Sequence, residues 1–241
     1  ALSDGFGIFD VLQIACINPV RFYHLDVGTL HIGDPADFII LNDIDSLEIC
    51  STFIQGKEVY RKGLDTGHEI VDVPLLNMFH HDKISEIDIC TDVCGDIPCI
   101  QVIPDSILTD RKTLHFENRI EYFQSDAALD VLKIVYLNRY FNLKPQVGFI
   151  SGIGLKRGAF ASSISHDSHN IIAVGCTDVD LVRSINELIE EKGGLVVNSG
   201  DQLYTLPLPI GGIISNKTGQ EVAGQYMKLN SILAKMGTHL K

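Results

Sequence analysis

Between Ile97 and Leu206 the apolar residues arrive in runs of strand length, each closed by a turn. The runs are Ile97–Ile103, Thr113–Glu121, Val131–Leu137, Val147–Ile153, Ala159–Ser165 and Ile171–Gly175. Leu195–Asn198 and Gln202–Leu206 follow around a Ser199-Gly200-Asp201 turn. Runs this short, bounded by turn residues, read as strands. Two segments break the rhythm at helical period. Thr177 and Asp180 come close to a capping box ahead of Val179, Val182, Ile185 and Ile189, a stripe that stops at Gly193-Gly194. Thr218 and Glu221 form a second box ahead of Val222, Tyr226, Leu229, Leu233 and Met236, and that stripe stops at Gly237. Both stripes read as core faces. The expectation is an α+β fold in which strands outnumber helices.

The N-terminal part has its own pattern. Phe9, Leu12, Ala15 and Cys16 recur at helical spacing, and Pro19 predicts that this helix ends near Asn18. Gly28, Gly33 and Pro35 punctuate a turn-rich stretch leading into a strand at Asp37–Leu41. Strands at Leu47–Gln55 and Glu58–Tyr60 follow, joined by a hairpin turn at Gly56-Lys57. Gly63 to about Val71 reads as a linker.

Charge and composition exclude several classes. The formal net charge is −12, and basic residues are scattered among the acids, with only isolated pairs such as Arg61-Lys62, Arg111-Lys112 and Lys156-Arg157. A nucleic-acid groove needs clustered cations, so no nucleic-acid partner is expected. The longest apolar runs, such as Ile171–Val174, fall far short of the ~20 residues of a membrane helix. No basic-then-apolar leader is visible, and the six unevenly spread cysteines read as free thiols of a cytoplasmic protein. A first residue other than Met hints at a longer polypeptide.

Chemistry-bearing residues concentrate in Ser162-Ser163-Ile164-Ser165-His166-Asp167-Ser168-His169-Asn170. Hydroxyls, two imidazoles, a carboxylate and an amide in one run can donate, accept and shuttle protons. A chain that turns after Ser165 would present His166 and His169 together, whereas an extended one would set them on opposite faces. The same composition reads equally as a hydrogen-bonded turn that satisfies its own backbone. A Ser-His-Asp triad is disfavoured, since its members converge from separate elements. Cys90, Cys94 and Cys99, with His80 and His81 upstream, have spacings unlike those of structural zinc sites, so free thiols are expected there. The glycines of Gly152–Gly158 suggest a phosphate-cradling loop, but the expected strand after them argues for a tight turn with a basic rim. Leu206-Pro207-Leu208-Pro209-Ile210-Gly211-Gly212 reads as either a rigid connection or a closing loop.

These same residues carry a resemblance. Gly154-Leu155-Lys156-Arg157-Gly158-Ala159, Ala161-Ser162-Ser163, His166 through Ile172 with Gly175, and Leu206–Ile210 with Gly212 and Ser215 closely resemble the C-terminal domain of bacterial adenine deaminases. Asn18-Pro19, Gly28-Thr29-Leu30, Gly33 and Ala36-Asp37-Phe38-Ile39-Ile40 look like the end of an amidohydrolase barrel running into its small β-sandwich. The resemblance implies a last barrel helix over 1–22, a β-sandwich segment over 23–66, and an α+β adenine deaminase C-terminal domain over 67–241.

What the resemblance implies for activity is metal-dependent hydrolysis of adenine to hypoxanthine and ammonia. A binuclear manganese or iron centre in a (β/α)8 barrel lowers the pKa of a bound water, and a barrel carboxylate moves protons. The barrel's His-x-His ligand pair has no counterpart among the nine histidines here, which offer only His80-His81 and His166-x-x-His169. No metal ligand and no catalytic residue is therefore assigned to this chain, and alone it is expected to be inactive. Lys156, Arg157, Ser162, Ser163, His166, Asp167, Ser168, His169 and Asn170 are expected near the substrate site. Leu137-Asn138-Arg139-Tyr140 stands where some relatives carry a Glu-Arg-His-type sequence. The implied partners are adenine, the missing N-terminal barrel segment and further copies in a homo-oligomer. Two other readings are a structural or subunit-interface domain and a free-standing ligand-binding protein derived from the deaminase.

Overall fold

A computed structural model describes residues 1–64 and 74–238, arranged in two compact units, Ala1–Glu69 and Ile70–Lys241. The linker expected between Gly63 and about Val71 lies, from residue 65 onward, outside the described residues.

In the first unit α1 (Ile8–Leu12) runs through a π-helical stretch, Gln13–Ile17, into α2 (Asn18–Tyr23). The helix thus passes the expected stop at Asn18 and ends at His24, in the left-handed region at φ 53°. Pro19 falls in the first turn of α2, where its missing N–H leaves no helical bond unmade, and the wider π-helical spacing supplies that fresh start. Strands β1 (Phe38–Leu41), β2 (Ile49–Ile54) and β3 (Lys57–Arg61) form an antiparallel sheet in that order. Ile54 pairs with Lys57, so the hairpin turn is Gln55-Gly56, both at positive φ, one residue earlier than expected. Asp37 ties the unit together: its carboxylate accepts from the N–H of Gln55 at 2.6 Å and of Gly28 at 2.9 Å. Those backbone donors hold its pKa below the ordinary carboxylate value. A Cβ at Gly28 would sit 1.9 Å from the Pro35 carbonyl oxygen, so only glycine allows this approach. Phe38 and Phe53 stack across β1 and β2 at 4.7 Å, but no described residue of this unit is fully buried.

The second unit is one eight-stranded sheet made of four consecutive hairpins. They are β4 (Val93–Val102) with β5 (Thr109–Ile120), β6 (Leu132–Leu137) with β7 (Gln146–Ser151), β8 (Ala159–Ser165) with β9 (Asn170–Gly175), and β10 (Gly194–Asn198) with β11 (Leu203–Pro207). The strand order is β11-β10-β8-β9-β6-β7-β4-β5. Every junction is antiparallel except β7 with β4, where Ile150 and Ser151 run parallel to Ile100 and Gln101.

Helices α3 (Asp178–Glu190) and α4 (Gly219–Lys235) cover opposite faces of this sheet. On one face Leu181, Ile185 and Leu188 pack with Val135, Leu137, Ala161, Ala173 and Val196. On the other, Leu229 and Met236 pack with Leu132, Val174, Val197 and Leu206. Neighbours such as Ala173 and Val174 belong to different faces because successive strand side chains alternate. A third cluster joins Val93, Cys99, Phe123, Val131 and Phe149 beside the first hairpin, with edge-on aromatic contacts at 5.2 and 5.5 Å. Thr177 caps α3 by accepting from the Asp180 N–H, and the Thr218–Glu221 box on α4 forms in both directions. Of the stripe expected on α3, Ile185 and Ile189 are buried and Val182 packs against the same core, but Val179 lies outside it. Val179 is 57% exposed while Leu181 and Leu188 are fully buried, because the wider leucine arc removes more apolar surface from water. Tyr226, expected in the α4 stripe, is also exposed.

Candidate functional site

The β8–β9 ladder ends at Ser165 opposite Asn170, and residues 166–169 form the connecting turn. His169, at φ 51°, closes it by donating its N–H to the Ser165 carbonyl at 2.6 Å. The chain therefore turns after Ser165, and the rings of His166 and His169 approach edge-on, 6.3 Å between centroids. His166, Asp167 and Ser168 are exposed, and His169 is half-buried.

The turn is braced from the loop after β6. Asn138 accepts from the N–H groups of Tyr140 and Phe141 and so curls that loop. Tyr140 donates its hydroxyl to the Ser168 carbonyl at 3.0 Å and accepts there from Arg139. Asn170 is 2% exposed. Its oxygen accepts from the Arg139 N–H at 3.0 Å, and its amide donates to Tyr136 at 2.6 Å and to Ser168 Oγ at 3.0 Å. Asn170 thus anchors the turn and directs its polar atoms inward.

A second brace comes from the Leu206–Gly212 connection. Leu208 donates to Gly193, Gly211 to Leu76, and Asn77 to the carbonyls of Lys192 and Pro209. Ser163, fully buried, accepts from the Gly194 N–H at 2.7 Å and donates to the Gly212 carbonyl at 2.5 Å. Gly212 meets Arg139 so closely that a Cβ would lie 2.3 Å from Nη1. Its backbone is latched at Leu208, Pro209, Gly211 and Gly212, which favours the reading as a rigid connection. Ser163 bonds backbone groups and no imidazole, so the hydroxyl is not poised as a nucleophile.

Lys156 and Arg157 belong elsewhere. They precede β8, whose seven residues span about 20 Å, and so sit at the far end of that strand from the turn. Lys156 donates to the Ala127 carbonyl at 3.2 Å and Arg157 is exposed. Ser162 accepts from the Ile164 N–H at 3.0 Å within the β8 irregularity. In the Gly152–Gly158 loop the N–H groups of Gly152 and Gly154 donate to the carboxylate of Asp130, at 2.7 and 2.9 Å. Asp130 occupies the place a phosphate would need, and β8 follows in place of a helix. Cys94 is exposed and Cys99 buried on the same strand, an odd number of residues apart and hence on opposite faces. Both ring nitrogens of buried His81 face carbonyls, those of Asp82 at 2.7 Å and Leu143 at 2.8 Å.

Two groups went unread in the sequence. Lys133 is fully buried, with both Asp178 oxygens 2.8 Å from Nζ, and Gln124 also donates to Asp178. The signal was a lysine inside the apolar run Val131–Leu137, whose strand is covered on both faces. The burial of Arg139 is the other; its stretch was marked only by resemblance, and its bond to Asn77 comes from a distant segment.

The site is thus a rigid, polar hairpin tip at one end of a mixed sheet, able to present imidazole and carboxylate groups to a neighbouring surface or ligand. Among the described residues such a tip is not a complete catalytic constellation. Residues 1–59 match the amidohydrolase family, a family of hydrolases. Residues 106–241 match the adenine deaminase C-terminal domain, and the chain belongs to that family. Similar proteins include adenine deaminases of Sulfurovum sp., Methanosarcina acetivorans and Borreliella afzelii. Their identities are 40%, 44% and 43%, over 100%, 98% and 95% of this chain. The alignments cover 44%, 45% and 42% of those proteins, so the chain spans less than half the length of the curated relatives it matches.

Proposed function

We propose that this chain is the C-terminal part of an adenine deaminase, which hydrolyses adenine to hypoxanthine and ammonia. The observation that carries the reading is near-complete alignment to proteins named adenine deaminase at 40–44% identity. The chain's own donors do not fit a two-metal centre: among the described residues no three His, Cys, Asp or Glu side chains converge. A manganese or iron pair would be held by a preceding barrel, which would supply the activated water. The chain's contribution is then to shape the mouth of the purine pocket with the exposed tip His166-Asp167-Ser168-His169, stiffened by Ser163 and Asn170. Lys156 and Arg157 would act at a different place on the barrel's rim. The domain limits proposed are 1–22 for the last barrel helix, 23–66 for the β-sandwich segment and 67–241 for the C-terminal domain. Among the described residues no helix is long and apolar enough to cross a membrane. We place the protein in the cytoplasm, as a homo-oligomer.

The test is deamination of adenine by the intact protein with His169→Ala, alongside this chain alone. We expect the chain alone to be inactive. The variant should lose roughly tenfold or more in kcat/KM, the size of one lost polar contact in a closed site. Unchanged kcat/KM with a lowered melting temperature would instead assign the tip to folding or subunit contacts, a reading that the inward-facing Ser163 and Asn170 favour for those two residues.

A further inference from the structure

Arg139 is 5% exposed, yet among the described residues no carboxylate lies within ion-pair reach of it. Its guanidinium is held by neutral groups alone. Nη1 donates to Asn77 Oδ1 at 3.3 Å, Nη2 donates to the Tyr140 hydroxyl at 3.0 Å, and the group stacks 4.6 Å from the Tyr140 ring. Nε has no acceptor. The contrast lies in the same sheet, where buried Lys133 has both oxygens of Asp178 at 2.8 Å. Burying a cation without a counter-charge is costly, and a guanidinium is built to meet a two-oxygen anion through its fork. A second unmet atom belongs to the same network. His169 Nδ1 is buried without a partner, and the carbonyl of the preceding Ser168 accepts from the Tyr140 hydroxyl that holds Arg139.

We propose that Arg139 and His169 form a binding site for a small oxyanion or carboxylate, whose charge completes the guanidinium fork and which accepts from the imidazole. The ligand is small, since a formal charge of −12 opposes an extended polyanion. The same chemistry has two sources: a free inorganic anion, or an Asp or Glu side chain of a protein segment seated over this end of the sheet. The inference does not depend on the deaminase reading.

The test follows the Nε–H resonance of Arg139 in protein labelled with 15N-arginine. It is assigned by its loss in Arg139→Lys or, should that variant fail to fold, by its displacement in Tyr140→Phe. Inorganic phosphate should shift this resonance saturably while leaving that of exposed Arg157 in place, which identifies a free anion. His169→Ala should then weaken half-saturation about tenfold, as loss of one hydrogen bond to a charged group does. No response to phosphate, but a resonance already displaced in a longer protein that carries the barrel, identifies a carboxylate from the protein. A resonance that neither responds to phosphate nor differs in the longer protein overturns the site. Unchanged half-saturation in His169→Ala overturns its two-residue form.

Discussion

Cys176 shows how far one side chain's chemistry follows its surroundings. Its thiol is half-buried, donates to the Leu155 carbonyl, and is pushed up to about 11 from an ordinary 9.0, first by burial and then by the Asp180 and Asp130 carboxylates. Only the thiolate reacts, so two pH units mean about a hundredfold less nucleophile below pH 9. In a timed reaction of the folded chain with a thiol reagent at pH 8, Cys16 and Cys94, both exposed, should label first. Cys176 should lag by about a hundredfold and catch up on denaturation; labelling as fast as Cys94 would refute its burial. The linkage has a definite sign. A thiol pKa raised by folding leaves stability intact below pH 9, with its contribution lost as pH rises from about 9 towards 11. Asp37 works the other way: its lowered pKa makes a contribution present at neutral pH and lost as acid protonates it. The pairing of Lys133 with Asp178 was opaque in the sequence for one physical reason. A charge's partner across the fold leaves no mark at local spacing, whereas the turn chemistry of His166–Asn170 lies within one short run.

Secondary elements were more legible than the faces they present. Strand β8 was read residue for residue, and both helix starts were marked by Thr caps that form in the structure. The α3 stripe held at Val182, Ile185 and Ile189 but not at Val179, because helical period fixes a spacing but not how wide an arc the sheet covers. Leu181 and Leu188 stood outside the expected stripe, and the sheet covers them in place of Val179. That choice can be measured. Leu181→Ala should cost 2–5 kcal/mol in urea unfolding, as a buried leucine truncation does, while Val179→Ala should stay within about 0.5 kcal/mol. Equal costs would mean that the helix is rotated from the position described. The first helix failed for a related reason: proline breaks a helix interior, but the π-helical stretch before Pro19 turned an interior position into a beginning. The hairpin turn moved by one residue because glycine is tolerated at either central position, and ladder register, which composition does not record, settled the matter.

At the scale of the whole molecule the two units differ in what they bury. Among the described residues the first has no fully buried side chain and leaves Phe9, Phe22 and Ile14 exposed, while the second encloses cores on both faces of its sheet. Native-state hydrogen exchange of this chain should show it. Amides of β1–β3 should exchange roughly a hundredfold faster, or more, than those of β8 and β9, since protection tracks buried packing. Equal protection would mean that the first unit is stable through interactions its own side chains do not reveal. The four-hairpin order of the second unit has a consequence for assembly. Each strand pair closes locally, and the next pair in the chain always adds at an edge left open by the one before. The sheet can therefore grow from β4–β5 towards β10–β11 in the direction of synthesis, without threading a strand between two already joined. The parallel seam between β7 and β4 is the exception in this series, joined at Ile100–Ile150 and Gln101–Ser151. It is where the second unit's earliest-made hairpin can separate while its later six strands stay zipped.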